Sequence, residues 1–417
     1  MFFCVFLAML STDWPVNAHD SRASFSIVFC RSVCLPLKAL LGFRQISYAK
    51  DESDMPTKLL PRKVEEHKSL HTDSKAALEQ HKRRAQWRSL QREEIIEPDL
   101  PIIDPHHHLW ERAGNRYLLD EYLADVQSGH NIKASVFVDC GSFYRNTGPV
   151  PMAPVGEVEF ANGVAAMAAS GACGSTLICA GIVSSADISV GAEVAQVLDA
   201  QIAAGGGRFR GIRVTTKWDA DEDLNTGRYI VPRGLMQDRD FRAGFATLAP
   251  RQLSFDAMIY HPQILELAEL ARSFPETTIV LNHIGGLLAW TRNYRPRKDE
   301  AIAQWRSSMA ELAKCPNVFV KLGGLGMPYL GLGFDKLEAP ASSERLAESW
   351  GPLFAHCIDN FGPERCMFES NFPPDRDSVD YPIIWNAFKR IAANYSADGK
   401  RALFYGAAAK AYRLNPD

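Results

Sequence analysis

Three consecutive histidines, His106-His107-His108, follow directly on the short apolar stretch Pro101-Ile102-Ile103-Asp104-Pro105. Alternate side chains of an extended chain share a face, so His106 and His108 project together and His107 points the other way. Two imidazoles placed like this can share a metal ion or jointly polarise a carbonyl. His107, out of phase, takes a structural place. The rival origin for such a tract is a compositional cluster in a solvated loop. Further on, polar residues again stand in or just after short apolar runs: Arg210 and Arg213, then His261, Asn282-His283, Lys321, Glu369-Ser370-Asn371 and Asp375. Four histidines fall at the ends of such runs although the chain has only 11. Their convergence, more than any one of them, points to a single site.

The elements that must position these residues are legible as a repeat. Apolar runs occur at Ile102-Ile103, Ser135–Val138, Leu177–Val183, Gly211–Val214, Phe255–Tyr260, Thr278–Leu281, Val318–Leu322 and Arg365–Phe368. Between them the segments 156–170, 189–204, 239–248, 262–274, 299–313, 344–361 and 383–395 repeat apolar residues at three and four, as in Val194, Val197, Leu198 and Ile202. Strands apolar throughout and alternating with helices predict a parallel sheet covered on its outer side. Eight repeats in about 310 residues predict an α/β fold, a (β/α)8 TIM barrel with an N-terminal extension, whose active site lies at the C-terminal ends of the strands. An open doubly wound sheet is the alternative, but no GxGxxG follows a strand.

Three regions follow. Residues 1–60 have no sustained period and read as a poorly ordered or targeting extension. Residues 61–96 are charge-rich, with Arg62, Lys63, Glu65, Glu66, Lys68 and His81-Lys82-Arg83-Arg84, and predict solvent-exposed helix. Residues 97–417 form the barrel. At 46% apolar and 23% charged, with a net charge of -3, the chain can bury a large core and has no electrostatic reason to bind nucleic acid or an anionic membrane. A small-molecule site is the expectation; a homo-oligomer is compatible with it. Nine cysteines without a CxxC or zinc-finger spacing favour reduced core residues such as Cys140, Cys179 and Cys366, and hence a cytoplasmic location. No run reaches the roughly 18 apolar residues of a membrane span. The apolar Met1–Leu10 with Val16-Asn17-Ala18 beyond it leaves organelle import or secretion as alternatives.

Five motifs in this order resemble the amidohydrolase-related superfamily (amidohydrolase family 2), especially its branch of 2-pyrone-4,6-dicarboxylate and sugar-acid lactonases. They are Ile103–Trp110, Phe209–Arg213, Leu281–Gly286, Val320–Gly324 and Arg365–Pro373. The resemblance implies the barrel and the hydrolysis of lactones, esters or amides, or decarboxylation of aromatic acids. Metal-dependent members hold a divalent ion, usually zinc, through the strand-one His-x-His, a histidine of strand five or six, and a strand-eight aspartate. The 2-pyrone type implies no metal: histidines polarise the lactone carbonyl, arginines hold carboxylates, and the aspartate activates water.

This chain has Asn371 where the resemblance implies that aspartate. An amide cannot ionise, so Asn371 is a poor base and a weak ligand. Asp375 or Glu369 would supply the carboxylate if the loop turned it inward; otherwise a neutral histidine is the base. The expectation is therefore a hydrolase opening a carboxylate-bearing lactone. His106, His108 and His283 act on the carbonyl, Asn371 and Asp375 belong to the catalytic set, and Arg213, Arg210 and His261 bind the substrate. The expected cofactor is none or one divalent metal; if zinc or manganese is bound, its ligands come from His106, His108, His261 and His283. The alternatives are a metal-dependent hydrolase or decarboxylase, and an inactive barrel that binds a small molecule. Loops 145–155, 215–238 and 323–343 are expected to shape the pocket, and Trp110 and Tyr117 either line it or pack the loop after strand one.

Overall fold

A computed structural model describes residues 60–61, 75–112, 114–225 and 229–415. Eight parallel strands follow one another around a barrel in chain order: β1 (Pro101–His107), β2 (Asn131–Val138), β3 (Leu177–Ser184), β4 (Phe209–Thr215), β5 (Ser254–Met258), β6 (Ile279–Leu281), β7 (Val318–Leu322) and β8 (Cys366–Phe368). Every apolar run of the sequence is one of these strands. Their composition follows from burial on both faces: all five residues of β7 are buried, Lys321 included.

The helices lie outside. Among them α3 (Val155–Ala169), α4 (Ala195–Ala204), α5 (Arg239–Phe245), α6 (Ile264–Ser273), α7 (Lys298–Leu312), α8 (Ser343–Phe361) and α9 (Tyr381–Ile391) fill the expected positions. On α6 the buried Ile264, Leu267, Ala268 and Ala271 form the inward stripe. The start of α8 is fixed by Ser342, whose side chain accepts from Arg345 N. A short helix, α2 (Leu119–Val126), and two C-terminal ones, α10 (Ala397–Arg401) and α11 (Ala407–Tyr412), had no counterpart in the sequence reading. The last closes the barrel from inside. Ala407, Ala408, Ala411 and Tyr412 pack against inward side chains of the strands such as Ile103, Val280 and Met367.

The seam between β1 and β8 is held differently from the others. Among the described residues no ladder joins them; one parallel bridge links His107 to Phe372, beyond the end of β8, with His108 N donating to Phe372 O at 2.8 Å. Asp104, wholly buried, completes the closure: it accepts from Ser370 Oγ at 2.6 Å, Ser370 N at 3.1 Å, Tyr122 OH at 3.1 Å and Tyr381 OH at 3.0 Å. One carboxylate thus replaces a strand ladder.

The charged segment before the barrel contains α1 (Lys75–Arg88). Most of its described residues, such as Leu78, Lys82, Arg83, Ala85 and Gln86, are exposed, while one edge docks on the barrel. Trp87 Nε1 donates to Leu337 O at 2.9 Å, Arg84 to Asp335 O at 2.7 Å, and Arg88 is buried beside Asp380. Long side chains can cover a docked face while their charged ends reach backbone carbonyls, which the charge pattern alone does not reveal. The extension expected over 1–60 lies, except for Leu60, outside the described residues, and no described helix is long and apolar enough to cross a membrane.

Replacing Asp104 with alanine leaves five buried donors, His106 N included, without this acceptor. Chemical denaturation should show a loss of about 2–4 kcal/mol; a loss below about 0.5 kcal/mol, the range of a neutral surface change, would contradict the closure role.

Candidate active site

The C-terminal ends of β1, β6, β7 and β8 bring His106, His283, Lys321 and Glu369 together. Glu369 is wholly buried between two imidazoles: its Oε1 is 2.6 Å from His283 Nδ1 and its Oε2 is 2.6 Å from His106 Nδ1. The glycines of Val320-Lys321-Leu322-Gly323-Gly324 make this possible. A Cβ on Gly323 would stand 2.4 Å from Glu369 Cγ, and one on Gly324, where φ is +73°, would stand 2.3 Å from His283 Nδ1. His283 itself (φ 54°) and Asn371 (φ 50°) hold left-handed backbone. Such conformations cost of order 1–3 kcal/mol each and tend to persist where function over-determines them.

Hydrogen-bond partners fix the tautomers. His283 Nδ1–H donates to Glu369 Oε1, so its Nε2 carries a lone pair. His108 Nδ1 lies 2.8 Å from Val138 O and must donate, so its Nε2 is also bare. That nitrogen faces His106 Nε2 at 3.2 Å. Two lone pairs would repel at this distance, so a proton or a cation is shared between His106 and His108. Burial pushes the pKa of both well below the usual histidine range; Lys321 adds to this at His106 and Arg213 at His108.

Beneath them runs a buried polar chain. Lys321 Nζ is 3.3 Å from His106 Nδ1 and 2.8 Å from Asp256 Oδ2, which also accepts from Tyr412 OH at 2.7 Å. On the cavity side Arg213 Nη1 stands 3.2 Å from His106 Nε2, while Nη2 donates to Asp139 O. His107 turns outward, stacked on Tyr122 with ring centroids 4.0 Å apart, which is the structural place its phase predicts.

A cavity of about 750 Å3 opens above this group, lined among others by His108, Trp110, Arg213, Lys217, His283 and Asn371. Burial, followed by repulsion from Arg213, lowers Lys217 to about 8. Its ammonium lies between the Tyr260 and Tyr329 rings, 5.3 and 5.1 Å from their centroids.

The structure separates the other expected site residues. Arg210, second residue of β4, stands at the N-terminal end of its strand, and its guanidinium donates to the carbonyls of Gly207 and Phe209. It is three residues from Arg213, so strand alternation sends the two side chains to opposite faces. His261 packs edge-on against Tyr294 and accepts weakly from Leu288 N at 3.4 Å; it lines no part of the cavity. Asp375 is buried and bonded to Asn371 Nδ2 at 2.8 Å and Gly326 N at 3.1 Å, with its pKa pushed well up by burial. Glu369, named above only as an alternative carboxylate, is the acid at the histidines. Its nearness to the non-ionising Asn371 was the signal: the acid stands two residues upstream. Lys217 and Asp139 carried no motif and were missed.

His106, His283 and Glu369 form a buried group whose ligand atoms lie within 4.8 Å of one another, a set able to hold a divalent ion. Glu369 Oε2, buried and without a hydrogen-bond partner despite its nearness to His106, fits such a group. His108 and His261 fall outside it. Lys321 and Arg213, each within 3.3 Å of a ring nitrogen of His106, would share the space with that ion.

Comparison with known proteins agrees with the barrel. The amidohydrolase family model matches residues 103–414. The chain is 32% identical over 338 residues to the uncharacterised protein y4mH of Sinorhizobium fredii, spanning 76% of this chain and 99% of that one. It is 28% identical over 212 residues to L-fucono-1,5-lactonase of Burkholderia multivorans, spanning 50% of this chain and 64% of the relative. A crystal structure of an amidohydrolase from Burkholderia multivorans superposes with a TM-score of 0.54 at 25% identity, covering 75% of this chain and 99% of that one. The chain belongs to the amidohydrolase family. It is a hydrolase.

The placements above separate the two arginines by experiment. Arg210→Met should leave the Michaelis constant for an ester substrate as it is in the wild type, whereas Arg213→Met should raise it. Equal effects would contradict the assignment of Arg210 to the far end of the strand.

Proposed function

We propose that the protein hydrolyses a lactone carrying a carboxylate. The observation that carries this reading is the joint presence, in one cavity, of a cationic anchor and a carboxylate-bound histidine: Arg213 with Lys217, and His283 with Glu369. Lactone-hydrolysing activity is the function named for the Burkholderia relative, which supports a cyclic ester over an amide.

The substrate carboxylate pairs with the Lys217 ammonium and the Arg213 guanidinium, a charge-assisted contact that fixes the ring above the histidines. His283 Nε2, bare because Nδ1–H is spent on Glu369, takes the proton of the attacking water, and Glu369 stabilises the imidazolium that results. Negative charge grows on the carbonyl oxygen as water adds. The shared proton of His106 and His108 and the adjacent Arg213 N–H groups meet it. Collapse of the adduct expels the ring oxygen, which takes the proton back from His283 and leaves a hydroxy acid.

A second reading, metal-assisted hydrolysis, is favoured by the orphaned Glu369 Oε2. An ion held by His106, His283 and Glu369 would supply Lewis-acid polarisation of the same carbonyl. The inactive-barrel alternative loses its main support, because the carboxylate absent at Asn371 is present at Glu369.

The test compares a carboxylated lactone with a neutral one of the same ring. Arg213→Met should raise the Michaelis constant of the carboxylated substrate far more than that of the neutral one; equal changes would remove the carboxylate from the reading. The pH dependence has a definite sign. Lys217 is charged below about 8 and neutral above it. After correction for spontaneous opening, the Michaelis constant for the carboxylated lactone should therefore rise as pH passes upward through that value. Lys217→Arg, charged throughout, should flatten the rise, and a rise that persists in this variant would assign it to another group.

A further inference from the structure

The helix α1 precedes residues 103–414, the span matched by the family model, yet it lines the same cavity as the catalytic histidines. Gln80, His81, Arg84 and Arg88 recur at three- and four-residue spacing, so one face of the helix looks onto the cavity. On the barrel side Arg376 lines the same rim, with its Nη2 3.3 Å from His81 Nε2. Burial, then Arg376, then Arg88 lower the His81 pKa, so this ring is neutral and accepts from Arg376.

Three guanidinium groups therefore share one rim. Arg88 is matched by Asp380 at 3.7 Å. Arg84 reaches a backbone carbonyl and lies over the Trp87 ring, and among the described residues neither Arg84 nor Arg376 is in an ion pair. Asp377 is the one acidic side chain lining this cavity among the described residues, and it is exposed. Asp125 and Asp380, which do not line the cavity, offset part of the Arg88 and Arg376 charge, and an anion in the cavity would offset more of the rest. The group is distinct from the Arg213–Lys217 anchor, which comes from β4 and the loop after it.

We propose that α1 completes the substrate site with a second anion subsite, formed by Arg84 of the helix and Arg376 of the barrel with His81 orienting Arg376, so that the enzyme takes a dianionic substrate. This rests on the reading that Arg213 and Lys217 hold one carboxylate; the second carboxylate of the same molecule is met at the rim. The residues before the barrel are then part of specificity.

The test is calorimetric titration of the full chain with benzene-1,3-dicarboxylate and with benzoate, neither of which can be turned over. The wild type should bind the dicarboxylate more tightly by on the order of 10–100-fold, the worth of one charge-assisted hydrogen-bonded pair. Arg376→Met and, separately, Arg84→Met should bring the two ligands to near parity while benzoate binding changes little, and Arg376→Lys should restore part of the difference. Circular dichroism on each variant confirms folding. No preference in the wild type, or a preference that survives both methionine variants, would overturn the proposal. Binding is read without hydrolysis, so the outcomes separate: a rim-dependent preference in a protein that opens no lactone would keep the subsite and sink the lactone reading.

Discussion

The site depends on one buried carboxylate lodged between two imidazoles. Glu369 has no water to solvate it, and an unpaired buried charge costs several kcal/mol. It is tolerable because His283 donates to one oxygen and His106, with Lys321 behind it, faces the other. That requirement propagates. Gly323 and Gly324 give the space, the left-handed backbone at His283 aims its ring, and Asp256 with Tyr412 balances Lys321 from below. Tyr412 belongs to the last helix, so the segment that packs inside the barrel also bears on the charge under His106. Asp104, binding Ser370 beside Glu369, ties the same corner to β1.

The fold was legible because its signal is repetitive: each strand buried on both faces is an apolar run, and each helix shows its inward stripe. His106, His108, Arg213 and His283 were legible as site residues for a related reason, since they end such runs. What was not legible depends on tertiary detail. The orientation of Glu369 depends on space left by Gly323, just beyond the end of a different strand. The barrel seam is a side-chain contact with no pattern in sequence. The docked edge of the otherwise exposed α1 was not legible, because it is made by guanidinium groups and a single tryptophan, not by an apolar stripe. Arg210 could have been excluded beforehand: strand alternation alone separates it from Arg213, and that parity was outweighed by the motif in which both stand.

The chemistry divides between layers of the barrel. The interior holds matched charges, Lys321 with Asp256 and Glu369 with its histidines, which set tautomers and proton affinity. The rim holds an excess of cations, Arg84, Arg213, Lys217 and Arg376, which suits anionic substrates. A divalent ion at His106, His283 and Glu369 would add Lewis acidity beside Arg213, whose Nη1 is 3.2 Å from His106 Nε2.

The most direct measurement is the turnover of a carboxylated lactone by Glu369→Gln, beside Asp375→Asn, with metal content determined on each preparation. If Glu369 holds the His283 tautomer and its positive charge, the glutamine variant should keep its fold and lose about 10²–10⁴ in kcat, and Asp375→Asn should lose much less. Retained turnover in Glu369→Gln with turnover abolished in Asp375→Asn would contradict this account and move the base to Asp375.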